Sequence, residues 1–151
     1  AILARAGSSV EIRTVILQQN FFNLIKLANF ISVNLSWVHS WSLMQLEPIG
    51  YAKLDWHLKF FDTSRFFGAI GACIETAIIK KINIKLYNFP MCSVPKEFRK
   101  FTVKSISDWK NKFTKTCSKC VLKPNCAGFF EWQTEEMMYA NIIPTFKEKV
   151  K

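Results

Sequence analysis

Apolar and polar positions in the first half of the chain alternate between strand-like and helix-like spacing. Val10 to Leu17 is rich in β-branched residues and alternates poorly, which is typical of a strand buried on both faces of a parallel sheet. From Phe21 to Leu35 apolar residues recur at helical spacing. Val38 to Leu46 is a second strand by its length and apolar content. This β–α–β order predicts parallel pairing with a right-handed crossover.

The alternation continues to the middle of the chain. Glu47 to Gly50 contains the proline and glycine that end the second strand, and Tyr51 to Asp62 is predicted to be a loop of mixed character. One of the Asp-Thr-Ser side chains at 62–64 is expected to cap a helix from Arg65 to Lys81. Ile82 to Tyr87 alternates with period two and predicts a third strand. The fold class is therefore α/β, either half a barrel or an open sheet.

The character of the sequence changes at Pro90, which divides the chain into three parts. Residues 1–89 form the α/β part, and residues 90–130 are expected to form a small irregular lobe because they contain prolines, cysteines and little apolar periodicity. Residues 131–151 form a C-terminal extension. It is predicted to begin as a helix from Glu131 to Tyr139, to lose order at Pro144, and to end in a frayed terminus at 147–151.

The chain begins with what is interpreted as the end of a helix. Ala1 to Ala6 places apolar side chains before Gly7, which can adopt the left-handed conformation of a helix C-cap. Because a helix end is an unusual start for a domain, we expect the chain to be a fragment that lacks an N-terminal part.

Composition narrows the class of protein without identifying its partners. The chain has 151 residues, half of them hydrophobic and fourteen of them Phe, so it can bury a sizeable core. Its net charge of +10 is spread along the sequence, which makes nucleic acid an unfavoured partner. The longest apolar runs are interrupted by Lys26 or Glu75 before they reach the roughly 18 to 20 residues of a membrane span. We expect a cytoplasmic protein without a membrane segment.

Four of the five cysteines are spaced as metal ligands. Cys117, Cys120 and Cys126 form a C-x2-C-x5-C run, and Cys92 lies upstream on a segment long enough to fold back onto them. Thiolates favour zinc or iron–sulfur over hard cations, and spacing alone leaves a zinc ion and a [4Fe-4S] cluster both open. Disulfides or simple packing of reduced thiols are less favoured, because the cysteine count is odd and no signal peptide is visible.

Other residue types give weaker signals. Functional groups collect at the carboxyl ends of parallel strands, where Glu47 is the most interesting carboxylate, although an ordinary strand-end role is equally compatible with it. His39 and His57 stand apart from any metal-binding pattern. Cys73 lies within an apolar helical run and is expected in the core. Motifs for nucleotide hydrolysis or acyl transfer are missing from the sequence.

Four segments resemble, in the same order, the C-terminal half of the radical SAM maturases associated with His-Xaa-Ser repeat peptides. The segments are EIRTVILQQN, LEPIGYAK, SISDWKN and CSKCVLKPNCAGFF. The resemblance implies that the strands at 10–17 and 38–46 are late strands of a partial (β/α)6 barrel and that residues 1–89 are its late β/α units. It also implies that residues 90–130 are similar to SPASM or twitch extensions, in which Cys92, Cys117, Cys120 and Cys126 would hold an auxiliary [4Fe-4S] cluster.

The resemblance also implies partners and limits. Such an enzyme uses S-adenosylmethionine, modifies a ribosomally made His-Xaa-Ser repeat peptide and can require a second radical SAM protein. Glu47, Pro48 and Ile49 are implied as the adenine-side cofactor contact. The chain lacks the C-x3-C-x2-C loop of these enzymes and is not expected to cleave S-adenosylmethionine alone, and Ala127 stands where the family has Gly. The alternative is a non-enzymatic zinc-binding module with nucleic acid as its candidate partner.

Overall fold

The chain folds around a four-stranded parallel sheet. The computed structural model describes residues 2–105 and 108–146, and the tail predicted to fray at 147–151 lies outside these residues. The strands lie in the order in which they occur along the chain. They are β1 (Glu11–Ile16), β2 (Ser40–Gln45), β3 (Asn83–Tyr87) and β4 (Thr102–Val103). The α/β class, the three predicted strands and their parallel pairing are confirmed.

Two helices form the layer that covers one face of this sheet. The described helices are α1 (Ile2–Arg5), α2 (Gln18–Phe21), α3 (Leu24–Asn34), α4 (Gly50–Leu54), α5 (Trp56–Lys59) and α6 (Gly68–Ile79). Helices α3 and α6 contact each other, and α6 also contacts β3. Their apolar side chains share one core with alternate strand residues such as Ile16, Leu43 and Leu86. Among the described helices, the longest has 12 residues and none is long and apolar enough to cross a membrane.

The prediction that the first strand is buried on both faces is wrong. Strand β1 lies at an edge of the sheet, and its residues alternate between the helix-covered face and the opposite face. On the opposite face the Arg13 side chain is 64% exposed and Val15 is 40% exposed. Burial on both faces needs helix layers on both sides of a strand, and α3 and α6 cover only the face that carries Ile12 and Ile16.

The predicted cap of the long helix is also wrong. Helix α6 begins at Gly68 after Phe67, and no side chain caps it. The Asp62 carboxylate instead accepts a bond from the Ser64 backbone N–H at 3.0 Å, and the Thr63 hydroxyl accepts a bond from the Gln45 amide. These polar residues therefore stabilise the turn that precedes the helix rather than its first turn.

The segment predicted to be a loop at 51–62 contains most of α4 and all of α5. Side chains that follow β1 hold this segment in place. The Gln18 amide donates to the backbone carbonyls of His57 and Phe60, at 3.0 and 2.9 Å, and the Gln19 amide donates to the Leu58 carbonyl at 3.2 Å. The amides at the carboxyl end of β1 thus have a structural role, because they bond the orphan carbonyls of a short helix.

The part of the chain after residue 90 is mostly irregular, but it also supplies β4, a fourth strand that was not predicted from the sequence, and it adds Val94 to the main core. Short 3-10 turns dominate it, and an isolated antiparallel bridge joins Lys112 to Phe129. The predicted helix from Glu131 to Tyr139 is wrong, since only Glu135–Met137 forms a single 3-10 turn. Order also continues past Pro144, because the Thr145 carbonyl accepts a bond from the Val121 N–H at 2.8 Å. Long-range contacts, rather than local periodicity, fix this extension.

Candidate metal centre

The structure places the four spaced cysteines around one cavity at the junction of the sheet and the lobe. Cys92 lies in the turn Met91–Ser93, five residues after the carboxyl end of β3. The other three belong to the turns that follow residue 114. The cavity, called here the cysteine cavity, is lined by Cys92, Phe113, Cys117, Cys120, Leu122, Lys123, Cys126, Phe129 and Pro144. Its wall is thus four thiols and mainly apolar groups.

Tight backbone turns bring the three clustered cysteines to this cavity. The Cys120 N–H donates to the Cys117 carbonyl at 3.1 Å, which closes the turn between these two residues. A second turn around Pro124 is closed by the bond from the Cys126 N–H to the Lys123 carbonyl at 3.3 Å. Two-residue spacing followed by a turn is what allows several thiolates to face one centre.

Backbone N–H groups point at the sulfur of Cys126. The N–H of Met91 lies 3.2 Å from Cys126 Sγ, and the N–H of Gly128 lies 3.4 Å from it. The Thr114 hydroxyl lies 3.2 Å from Cys117 Sγ. Hydrogen bonds of this kind stabilise negative charge on sulfur and tune the metal group that the sulfur binds.

The glycine at 128 is required by its backbone. Gly128 has a φ of +67°, and a Cβ at this position would stand 2.5 Å from the Lys112 carbonyl oxygen. A side chain at this residue would therefore displace the bridge between Lys112 and Phe129. This glycine is a part of the site that spacing arguments missed, and the signal available in the sequence was its place two residues after a ligand-type cysteine.

Burial makes thiolates costly in this cavity when no cation is bound. Burial raises the pKa of Cys92 to about 12, and the neighbouring cysteines add to the effect. Burial also raises the pKa of Cys126, against the two backbone N–H bonds that lower it. Both thiols therefore stay protonated near neutral pH in the metal-free chain, and a bound cation would supply the charge that favours their ionised form.

The donor chemistry fits a soft metal group, whereas the cavity itself is small. The cysteine cavity has a volume of about 10 Å³, close to the size of one water molecule. Among the residues that the structure describes, no group of three or more His, Cys, Asp or Glu is arranged to hold one metal ion. Thiolates around zinc at about 2.3 Å would lie only about 3.8 Å apart. Either guest would require the thiols to adjust their positions.

The fifth cysteine is separate from the site. Cys73 lies in α6, is fully buried, and belongs to the core between the helices and the sheet, as expected from its apolar surroundings. All five cysteines are free thiols in the described chain. Cys73 therefore provides a matched control for any experiment on the other four.

The other sequence-predicted site residues follow β2 and stand outside the cysteine cavity. The Glu47 carboxylate pairs with Lys110 Nζ at 2.9 Å, and both side chains are largely buried, with 16% and 20% of their surfaces exposed. Pro48 is buried and Ile49 is 48% exposed. Lys110 also lies 5.9 Å from the ring of Phe130. The Glu47–Lys110 pair thus links the carboxyl edge of the sheet to the lobe, and the carboxylate is already engaged.

The two histidines do not line the cysteine cavity. His39 is exposed and lies directly before β2, where its backbone N–H donates to the Val10 carbonyl at 2.8 Å. His57 lies in α5 beside a separate cleft that Phe22 and Trp56 also line. Comparisons of the chain with protein-family models, with curated proteins and with solved structures find no match.

Proposed function

We propose that this chain is the C-terminal portion of a radical SAM peptide-modifying maturase and that its four spaced cysteines hold an auxiliary [4Fe-4S] cluster. The observation that carries the proposal is the convergence of Cys92, Cys117, Cys120 and Cys126 on one largely apolar cavity. Four thiolates are the full ligand set of such a cluster.

The position of the cavity supports an enzymatic setting. In parallel α/β sheets, functional sites form beyond the carboxyl ends of the strands. Cys92 follows the carboxyl end of β3 by five residues, so a group held there would lie at the functional edge of the sheet. The sheet itself would be the late part of a partial (β/α)6 barrel, as the resemblance to the His-Xaa-Ser maturases implies.

The residues around the sulfurs have definable roles in this proposal. The N–H groups of Met91 and Gly128 would stabilise charge on Cys126, and thereby influence the potential of the bound group. When bound, the cluster would supply electron transfer to or from the substrate. Glu47, Pro48 and Ile49 remain the proposed adenine-side contact for S-adenosylmethionine, with Lys110 orienting the carboxylate. The proposed partners are a His-Xaa-Ser repeat peptide and a second radical SAM protein.

A structural zinc site is the second candidate, and the size of the cavity favours it. The cavity has room for about one water-sized guest, which is less than a four-iron cluster occupies. Zinc would hold the lobe together without redox chemistry. The chain would then be a non-enzymatic module, and its lysines would provide the candidate surface for nucleic acid.

Anaerobic reconstitution with iron and sulfide, in competition with zinc, tests both candidates. We expect the chain to bind four iron and four sulfide, with a broad absorption near 400 nm typical of thiolate-bound clusters. Cys120→Ala should lose most of this iron because one of four ligands is removed, whereas Cys73→Ala should keep it, since that thiol lies in the core. Equal iron content in the two variants would overturn the ligand assignment. A colourless chain that holds one zinc would support the structural module instead.

A further inference from the structure

A second cavity lies on the face of the sheet that α3 and α6 leave open. Its volume is about 320 Å³, within the range of sites for small molecules. Three cationic side chains from separate segments line it, namely Arg13 of β1, Lys104 after β4, and Lys110 of the lobe. We call this space, between the sheet and the residues Lys104 and Lys110, the basic cavity.

The strand register explains why these groups meet. Arg13 pairs with Ser42 across the β1–β2 ladder, and Ser42 pairs with Lys85 of β3. Two residues further along, Met44 pairs with Tyr87, which in turn pairs with Val103 of β4. Residues in register share one face of a parallel sheet. The sheet therefore contributes Arg13 to the basic cavity and, nearer the carboxyl ends of the strands, Met44, Tyr87 and Val103.

Among the described side chains on this face, cations outnumber carboxylates. The cations are Arg13, Lys85, Lys104 and Lys110, and the carboxylates are Glu11 and Glu47. Glu11 is engaged by Arg13 at 2.8 Å and by the Ser42 hydroxyl, and Glu47 is engaged by Lys110. Among the side chains that the structure describes on this face, Lys85 and Lys104 are in no ion pair. Clustered uncompensated cations beside a low-dielectric wall attract anions.

Lys104 is the cation of the basic cavity that has no carboxylate partner among the described residues. In the part of the chain that the structure describes, no ion pair involves its ammonium group, which donates to the Pro124 carbonyl at 3.0 Å. Pro124 lies two residues before Cys126, and Cys126 lines the cysteine cavity. The same lysine therefore contacts the basic cavity and the backbone of the metal-site loop.

We infer that the basic cavity binds a small ligand that carries at least two negatively charged oxygens, as in a polycarboxylate or a phosphate compound. Arg13 offers a planar fork of N–H donors, and Lys104 offers an ammonium group with no carboxylate partner among the described residues. Tyr87 and Asn88 line the same space. Met44 and Val103 contact the apolar part of the ligand. This inference is independent of which metal group the cysteines hold.

Calorimetric titration of the full chain at low ionic strength tests the inference with citrate and with inorganic pyrophosphate. Acetate is the singly charged comparison. We expect citrate or pyrophosphate, or both, to bind at least about tenfold more tightly than acetate, because charge-assisted hydrogen bonds accumulate. Their ratio separates a carboxylate site from a phosphate site. Binding of both no tighter than acetate would overturn the inference.

Paired charge variants show whether the binding is local. Lys104→Gln should weaken binding of the tighter anion about tenfold, and Lys104→Arg should restore most of it. Lys80→Gln removes the same charge directly after α6, before the start of β3. It should change binding less than about twofold. Glu47→Gln should strengthen binding, whereas Glu75→Gln on α6 should not. Equal effects within either pair would show general charge attraction and overturn the site.

Discussion

Gly128 is the residue whose substitution most directly tests how the lobe is built. It has a φ of +67°, and its N–H lies 3.4 Å from Cys126 Sγ. The next residue, Phe129, exchanges two backbone bonds with Lys112, at 2.7 and 3.0 Å. In Gly128→Ala the new Cβ would stand 2.5 Å from the Lys112 carbonyl oxygen and about 3.1 Å from the ring of Phe113. The substitution therefore strains the backbone and pushes on the bridge at the same point.

The expected cost follows from two separable terms. Placing Ala in the left-handed region costs about 1 to 2 kcal/mol. Because the Lys112 oxygen belongs to the backbone, relieving the contact requires the bridge to open and at least one of its bonds to weaken, for about 1 kcal/mol more. We expect Gly128→Ala to lower the free energy of unfolding by about 2 to 3 kcal/mol. The control is Gly50→Ala, since Gly50 has a φ of +51° and open space around its Cβ position.

Urea unfolding of the purified chain, followed by tryptophan fluorescence, measures both variants. Gly50→Ala should lose only the conformational term, about 1 to 2 kcal/mol, so the two variants should differ by about 1 kcal/mol or more. The metal content of Gly128→Ala should also fall, because its N–H moves away from Cys126. Equal losses of stability in the two variants would refute the clash with the Lys112 carbonyl.

Two further predictions concern a buried thiol and the cofactor reaction. Burial raises the pKa of Cys73 from its ordinary 9.0 to about 12, so between these values the thiol ionises in the unfolded chain alone, and its stabilising contribution is lost as pH rises. Between pH 9 and 10 the free energy of unfolding of the wild-type chain should fall by about 1 kcal/mol more than that of Cys73→Ala. Urea unfolding at several pH values measures both, and an equal fall in the two chains would contradict the prediction. The second prediction concerns the reconstituted and reduced 151-residue chain, which should release no 5'-deoxyadenosine from S-adenosylmethionine because it lacks a C-x3-C-x2-C loop. Chromatography measures the product. Release above the level of Cys120→Ala would contradict the auxiliary role of the cluster.

The elements that sequence predicted well are those set by local periodicity. Strands β2 and β3 and helix α3 follow from apolar spacing, and each lies within the range that its pattern indicated. The local pattern of a strand does not determine whether that strand lies at the edge of the sheet. The exposure of Arg13 and Val15 depends on the order of the whole sheet, which is a long-range property. The same strand composition therefore suits an interior and an edge position.

Long-range bonds explain the main errors in the C-terminal extension. The Ala140 N–H donates to the Asp62 carboxylate at 2.8 Å, and the Asn141 N–H donates to the Ser64 hydroxyl at 3.1 Å. Tyr139 is buried and packs edge-on against Phe60 at 5.5 Å. These contacts join residues more than 70 positions apart, so they satisfy the extension without a helix. They also use the side chains that would otherwise have capped the helix after residue 64.

The cysteine spacing predicted which thiols would gather but not what surrounds them. The bond from Met91 to Cys126 and the closeness of Lys104 to Pro124 arise only when the lobe folds back onto the sheet. The described lobe has a small apolar cluster around Phe129, so a group bound by the thiols would contribute much of its stability. Zinc and a cluster would stabilise the lobe through the same four thiolates. Loss of stability in a cysteine variant therefore reports the ligand set, whereas iron and sulfide content reports the chemistry.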